Sequence, residues 1–295
     1  MVCECSSHRP QTFIMRAFST LFAAAASLLA STVVHASLPS NLGTFINLRI
    51  EGANTTIFED IIFTRGHKVT TASNFTLECN GLNNHTNPKP GPTPTSALDD
   101  ASLRHGFTWD GYVHLTCFRL RPHFIPHPHP ESDCRSRRVA RVWNDCSYQT
   151  FLSPRTFFEE FDDLFISRIA DSEQTTTEFW GLLVNFTFTP VGGCQQEVAF
   201  GDHVLWAFNA FGVDHFLKLD GPSLAVVGRP ATFTVTDGMN GTAIANATVV
   251  APGAPAATSD AEGKVKLTFR TAGIHSAKAS RADSIRSNAV TVLVA

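Results

Sequence analysis

Seven cysteines, twelve histidines and six Asn-x-Ser/Thr triplets are the residues of this 295-residue chain best suited to chemistry. Thiols and imidazoles have three common uses: holding a metal, activating a nucleophile, or forming a disulfide. The densest cluster is His123, His127 and His129 beside Cys117, Cys134 and Cys146. Zinc needs four tetrahedral ligands, usually supplied as two close pairs. There is no Cys-x-x-Cys here, and the prolines hold His127-Pro128-His129 extended. No metal site is expected. No Gly-x-Ser-x-Gly, His-Glu-x-x-His or phosphate-cradling glycine loop occurs either. Asp202-His203 and Asp214-His215 are adjacent pairs. Neighbours on a strand point to opposite faces, so an acid–base site would need cross-pairing, for example Asp202 with His215. The acidic pairs Glu159-Glu160 and Asp162-Asp163 lack a spaced oxygen-ligand loop for calcium. No catalytic residue and no cofactor is assigned.

The His/Cys cluster lies in a segment unlike its surroundings. Residues 112–155 hold seven Arg, no Lys, no Gly, five Pro and both tyrosines of the chain, Tyr112 and Tyr148. Gly111-Tyr112-Val113 is encodable with a splice-donor sequence and Pro154-Arg155 with an acceptor. Removing the interval keeps the reading frame and joins Gly111 to Thr156. The segment therefore reads as a translated retained intron, or otherwise as a disordered insert.

The N-terminus reads as a leader. An apolar, Ala-rich run from Phe18 to Ala30 follows Met15-Arg16, and Val34-His35-Ala36 is a small-residue cleavage pattern. Residues 1–36 are expected to be a signal peptide, with Met15 the expected true start and Ser37 the first mature residue. The apolar run is too short to span a membrane, and no transmembrane segment or lipid-anchor tail is expected. The expected location is secreted, extracellular or at the cell surface. Six sequons, at Asn54, Asn74, Asn84, Asn185, Asn240 and Asn246, fit a secreted glycoprotein. Asn74 and Asn185 lie in strand-like runs and are the least suited to modification.

Without leader and insert the chain keeps 14 Lys+Arg and 22 Asp+Glu, a net charge of −8. This balance gives no electrostatic footprint for nucleic acid. Only Cys79 and Cys194 remain of the cysteines. In an oxidising compartment the two are expected to pair, the alternative being two separate buried thiols.

Coarse patterning divides the mature chain at Gly221-Pro222. In residues 37–220, Thr44–Glu51 alternates as a half-buried strand and Thr56–Thr64 is a second apolar run. Val69–Thr71 and Phe75–Cys79 read as short edges. Pro88, Pro90, Pro92 and Pro94 favour a stiff surface loop, with docking of a proline-reading module the other reading. The spacing predicts a helix over Ser96–Arg104, capped by Ser96 and ended by Gly106. Phe157–Ile169 reads as a short amphipathic helix or a turn into a strand. Phe179–Thr189 reads as a strand, Val198–Phe208 as another with a Gly201-Asp202 turn, and Phe216–Leu219 closes this part. Trp109, Trp180 and Trp206 are the aromatics large enough to form a binding platform, although packing in a core is their commoner use.

The phrases Trp180-Gly-Leu-Leu-Val184-Asn185, Gly192-Gly193-Cys194 and Gly201-Asp202-x-Val204-x-Trp206-x-Phe208 resemble the transcobalamin C-terminal-like domain of microbial secreted proteins. The resemblance covers roughly residues 44–219 without the insert. It implies an α+β, β-grasp-like fold, a mixed sheet wrapped on a helix. Where that pattern has Val-Asn-Gly, this chain has Val184-Asn185-Phe186. The helical barrel that supplies most cobalamin contacts in transcobalamin is missing from this chain, so cobalamin binding does not transfer.

Residues 221–295 show short strands separated by Asp237-Gly238, Asn240-Gly241, Pro252-Gly253 and Glu262-Gly263. This spacing predicts an Ig-like β-sandwich. It resembles bacterial-type Ig-like repeats through Val227-Gly-Arg-Pro230, Asp260-Ala-Glu-Gly263 and Ser287-Asn288-Ala289-Val290. The expected fold class is thus mainly β: an α+β first domain with one or two helices, then a sandwich. The expected function is adhesion or ligand presentation by a non-enzymatic glycoprotein, with a cell-wall polymer or a small molecule as partner. The alternative is a small-molecule binder using a cleft of the β-grasp domain. A hydrolase dependent on His203 or His215 is the weaker alternative.

Overall fold

The computed structural model describes residues 41–112 and 163–295. The leader lies outside the described residues, as does the 112–155 segment except for Tyr112. Alternation in the sequence sets the first sheet. In β1 (Thr44–Glu51), Ile46, Leu48 and Ile50 point to one face, while Asn47, Arg49 and Glu51 point to the other. β1 pairs antiparallel with β2 (Thr56–Thr64), and β3 (His67–Thr70) with β4 (Thr76–Cys79). The helix α1 spans Pro94–His105. It is followed by β5 (Trp109–Tyr112), β6 (Phe165–Ile169) and β7 (Ser172–Glu173), which form a small antiparallel sheet. β8 (Trp180–Val184), β9 (Thr187–Phe188) and β10 (His203–Phe208) complete the first part.

The main sheet has the order β2-β1-β10-β8-β9. Its central pair, β1 and β10, is parallel, and hairpins flank it on both sides. With α1 packed across one face, this is a β-grasp-like arrangement. Ala97, Leu98 and Ala101 of α1 enter one cluster with Ile46, Leu48, Ile50, Val204 and Trp206. Burial of each large aliphatic side chain there stabilises by roughly 1.5–3 kcal/mol.

The helix starts two residues earlier than the sequence suggests. Thr93, not Ser96, is the N-cap. Its hydroxyl accepts from the Ser96 amide at 3.0 Å, and the Thr93 amide donates to the Ser96 hydroxyl at 3.0 Å. Pro94 occupies the first helical position, where its missing N–H costs nothing. The end is as expected: Gly106 takes φ 73°, a left-handed cap that a side chain would strain.

Two further expectations change. Phe179–Thr189 is not one strand but a hairpin. Asn185 and Phe186 take φ 51° and 61° in a two-residue turn whose twist matches the flanking strands. The run's glycine, Gly181, lies in β8, and the turn itself carries none to announce it. Phe216–Leu219 lies in β11 (His215–Asp220), which does not close the first part but pairs wholly within the second.

The second part is a two-layer sandwich. β12 (Leu224–Ala225), β13 (Pro230–Asp237), β14 (Thr248–Val250) and β15 (Ala257–Thr258) come first in the chain. They are followed by β16 (Lys264–Thr268), β17 (Gly273–Ser280), β18 (Ser284–Ile285) and β19 (Val290–Val294). The layers are β16-β13-β11-β18 and β12-β19-β17-β14-β15. Phe233, Phe269, Leu217, Leu219 and Leu267 fill the space between them.

Cys79, at the end of β4, is joined to Cys194, just ahead of β10, with Cα atoms 4.1 Å apart and 115 residues of separation. The Asp163 carboxylate accepts the backbone N–H groups of Leu164, Cys194 and Gln195 at 2.7, 3.1 and 3.2 Å, which fixes the turn holding the bridge. Replacing both cysteines by Ala is expected to lower the unfolding free energy by roughly 3–5 kcal/mol, because the closed loop is long. A urea midpoint unchanged from wild type would contradict this. In the β5–β6 ladder Gly111 faces Ile166 and Tyr112 faces Phe165. Direct joining of Gly111 to Thr156 would leave residues 156–164 to close that hairpin. If residues 112–155 are translated intron, the protein lacking them folds with the same near-UV circular dichroism and a thermal midpoint within a few degrees of the full chain. Loss of cooperative unfolding on deletion would refute it.

Candidate functional site

The polar face of β1 is where the two parts of the chain meet. Glu51 is 1% exposed, and both its oxygens are used. Oε1 accepts from Lys278 Nζ at 2.7 Å and Oε2 from Arg286 Nε at 2.8 Å. Thr56 Oγ1 donates to the same carboxylate at 3.0 Å. Lys278, on β17, also reaches Glu59 of β2 at 2.6 Å, and the other Glu59 oxygen accepts the Ala289 amide at 2.6 Å. Arg286 Nη2 donates to the Gly52 carbonyl at 2.6 Å. A carboxylate this enclosed is tolerated only because its charge and its lone pairs are met. Beside this network, Leu183, Leu205 and Ala207 of the sheet pack on Phe216 and Ile285 of the sandwich.

The sandwich covers only part of the sheet face. The remainder is the floor of a cleft of about 720 Å³, within the range of small-molecule sites. Its floor carries Asn47 and Arg49 of β1, Ile61 of β2 and His203 and Leu205 of β10. One wall is the β8–β9 turn with Asn185 and Phe186. The opposite wall belongs to the sandwich, with Lys218 and Asp220 of β11, Asn288, Ala289 and Thr291. The edge-to-face pair Phe45–Phe63, ring centroids 5.1 Å apart, extends the floor outward on the same sheet face and is solvent-exposed.

Arg49 is the centre of this cleft. It is 7% exposed, donates from Nη1 to the Arg286 carbonyl at 3.0 Å, and lies 5.7 Å from the centroid of the Phe186 ring. Burial pushes its guanidinium below the ordinary value, while Glu51 and Glu59 pull the other way. The left-handed backbone of Phe186 costs about 1–2 kcal/mol for a residue with a Cβ. The ring is held by Arg49 on one side and by Gly238 on the other, where any side chain would collide with it. His203 sits below its ordinary value, through partial burial first and then the charges of Arg49 and Lys218.

The other sequence candidates fall elsewhere. Trp109, Trp180 and Trp206 are all buried in the helix-side core, so they are not a surface platform. Their indole N–H groups are satisfied internally, by Asp99 Oδ1, Ser172 O and Pro94 O at 3.1, 3.2 and 3.4 Å. Asp202 does not meet His215. It accepts from Asn185 Nδ2 at 2.8 Å and the Ala199 amide at 2.7 Å, whereas His215 Nδ1 faces Asp237 Oδ2 at 2.7 Å. A third pair, His67 Nε2 with Asp99 at 3.1 Å, raises the His67 value mainly through that hydrogen bond. Among the described residues, no Ser, Thr or Cys side chain is hydrogen-bonded to the ring of His203 or His215. No group of three or more His, Cys, Asp or Glu among them is placed to hold a metal. All six sequon asparagines are exposed. Asn74 and Asn185 sit in turns with positive φ rather than in strands.

Sequence reasoning missed Arg49, Glu51, Lys278 and Arg286. The signal was present as the polar half of the β1 alternation, which read as a solvent face. Exchange of Glu51 for Gln is expected to destabilise the protein by about 3 kcal/mol, because it strips charge from two cations held at the junction. Equilibrium urea denaturation measures this, and a change under 1 kcal/mol would show the network to be dispensable. No family model, curated protein or solved structure matches the chain.

Proposed function

We propose that this chain is an exported, non-enzymatic glycoprotein that holds a small molecule in the cleft between its β-grasp-like sheet and its sandwich. One observation carries the reading: a cavity of ligand size is walled by both parts and has a nearly enclosed arginine on its floor. Walls fixed by ion pairs and packing give a ligand a pre-formed site, which reduces the ordering cost of binding. The export signals in the sequence and the exposure of all six sequon asparagines support an extracellular setting. No helix among the described residues is long and apolar enough to cross a membrane. The kinship with transcobalamin C-terminal-like domains and with Ig-like repeats belongs to this proposal and rests on the sequence phrases alone.

A second reading, adhesion or ligand presentation on a cell-wall polymer, is favoured by a different surface. Leu224, Leu293 and Ile274 lie side by side across β12, β19 and β17 and are 60%, 50% and 77% exposed. Thermal melting of the secreted protein against a panel of metabolites and oligosaccharides separates the two. A saturable rise in midpoint with a small molecule is the expected result. Retention on insoluble wall polymer with no midpoint change would favour adhesion instead. Turnover of a substrate that disappears in His203→Ala or His215→Ala would overturn both.

A further inference from the structure

The charges at the junction do not balance. Arg49, Lys278 and Arg286 face two carboxylates, Glu51 and Glu59, and the latter are consumed by Lys278, Arg286, Thr56 and the Ala289 amide. Arg49 makes no ion pair among the described residues, and its one hydrogen bond goes to a backbone carbonyl. Its other nitrogens still open on the cleft: among the described residues the fully enclosed side-chain polar atoms without a partner are Asn41 Oδ1 and Thr95 Oγ1, not these. Each neighbouring amide already gives one of its two N–H groups to the protein. Asn47 donates to the Gly201 carbonyl, Asn185 to Asp202, and Asn288 to the Leu219 carbonyl. Lys218, on the rim, is paired with Asp220 at 3.0 Å, and both are well exposed. Asp60, also on the rim, is exposed and accepts from the Ile61 amide. Rim carboxylates in water are screened, whereas a guanidinium at the cleft floor is not.

We propose that the cleft binds an oxyanion-bearing small molecule, with the carboxylate or phosphate of the ligand on the Arg49 guanidinium and its apolar body against Phe186 and Ile61. This deepens the small-molecule reading above and rests on it. Guanidinium offers a planar fork that matches two oxygens at once, and charge-assisted bonds of this kind are roughly twice as strong as neutral ones. An unpaired buried cation is costly, and a ligand anion relieves that cost, so affinity should concentrate on this one residue. Lys218 adds long-range attraction at the rim. His203 responds rather than binds: an anion offsets the positive field of Arg49 and Lys218, so its pKa moves up when the ligand is present. Binding therefore strengthens as pH falls through that value. Asp202 pulls the His203 value the other way from Arg49 and Lys218, and Asp60 and Asp220 are the carboxylates on the rim of the cleft.

The test uses the full secreted protein with inorganic phosphate, acetate, benzoate and glucuronate as probes, and uncharged benzyl alcohol and glucose as controls. Melting and His203 NMR titrations are run at matched ionic strength. The expected result is a saturable midpoint rise with at least one anion and an upward shift of the His203 titration. Arg49→Gln should weaken that binding about tenfold or more, and Lys218→Ala about two- to fivefold. Lys218→Ala alters only an exposed rim residue, so its effect can be read even if Arg49→Gln lowers stability. Stabilisation by the uncharged controls alone would sink the oxyanion inference and leave the cleft reading standing. No response to any probe in this set, or anion binding that is equal in Arg49→Gln, Lys218→Ala and wild type, would also overturn the inference.

Discussion

Everything at the junction of the two parts hangs on one enclosed carboxylate. Glu51 is almost without solvent, so protein groups must take the place of water around its carboxylate. Lys278 and Arg286 must therefore come to it from the sandwich, and they bring β17 and the strand-like segment before β19 with them. That approach fixes how closely the sandwich can sit on the sheet. It also fixes where it cannot sit, because the same cations leave Arg49 outside the pairing. The cleft is what remains of the sheet face once the network and the small Leu205–Phe216–Ile285 cluster have taken their share.

The turn at Asn185 and Phe186 shows the same economy. A phenylalanine in a left-handed conformation is unfavourable, and a glycine would relieve it. The aromatic ring is retained in contact with Arg49, where it covers one face of a desolvated guanidinium. Gly238 gives way on the far side, so the glycine that the turn lacks is found where the ring needs room. Strain of this sort persists where surrounding contacts over-determine it, commonly at binding sites.

Much of the architecture was legible in the residues. Period-two patterning marked β1, an apolar run marked β2, and the glycine-containing turns spaced the sandwich strands. Two surviving cysteines sufficed to name the bridge between Cys79 and Cys194. What failed did so for identifiable reasons. Thr93 was overlooked as a cap because it stands inside a proline run that reads as loop. The hairpin at Asn185 hid within an apolar stretch because its turn lacks the usual glycine. The junction was illegible for a deeper reason: Asn47, Arg49 and Glu51 look like a solvent face, and only the partner layer, more than 200 residues later in the chain, makes that face an interior. Local pattern reports amphipathicity and is silent about which polar side another element will cover.

β11 lies wholly in the sandwich, where it pairs with β13 and β18, and the chain reaches it from β10 through the short turn at 209–214. Gly221-Pro222 therefore falls inside the sandwich, between β11 and β12, and what holds the two parts together is the Glu51 ion-pair network and the Leu205–Phe216–Ile285 cluster. The cleft walls then keep their spacing whether or not anything lies between them. For the small molecule proposed above, walls held in this way would leave entry to diffusion and loop breathing, with association in a single phase whose rate grows in proportion to concentration.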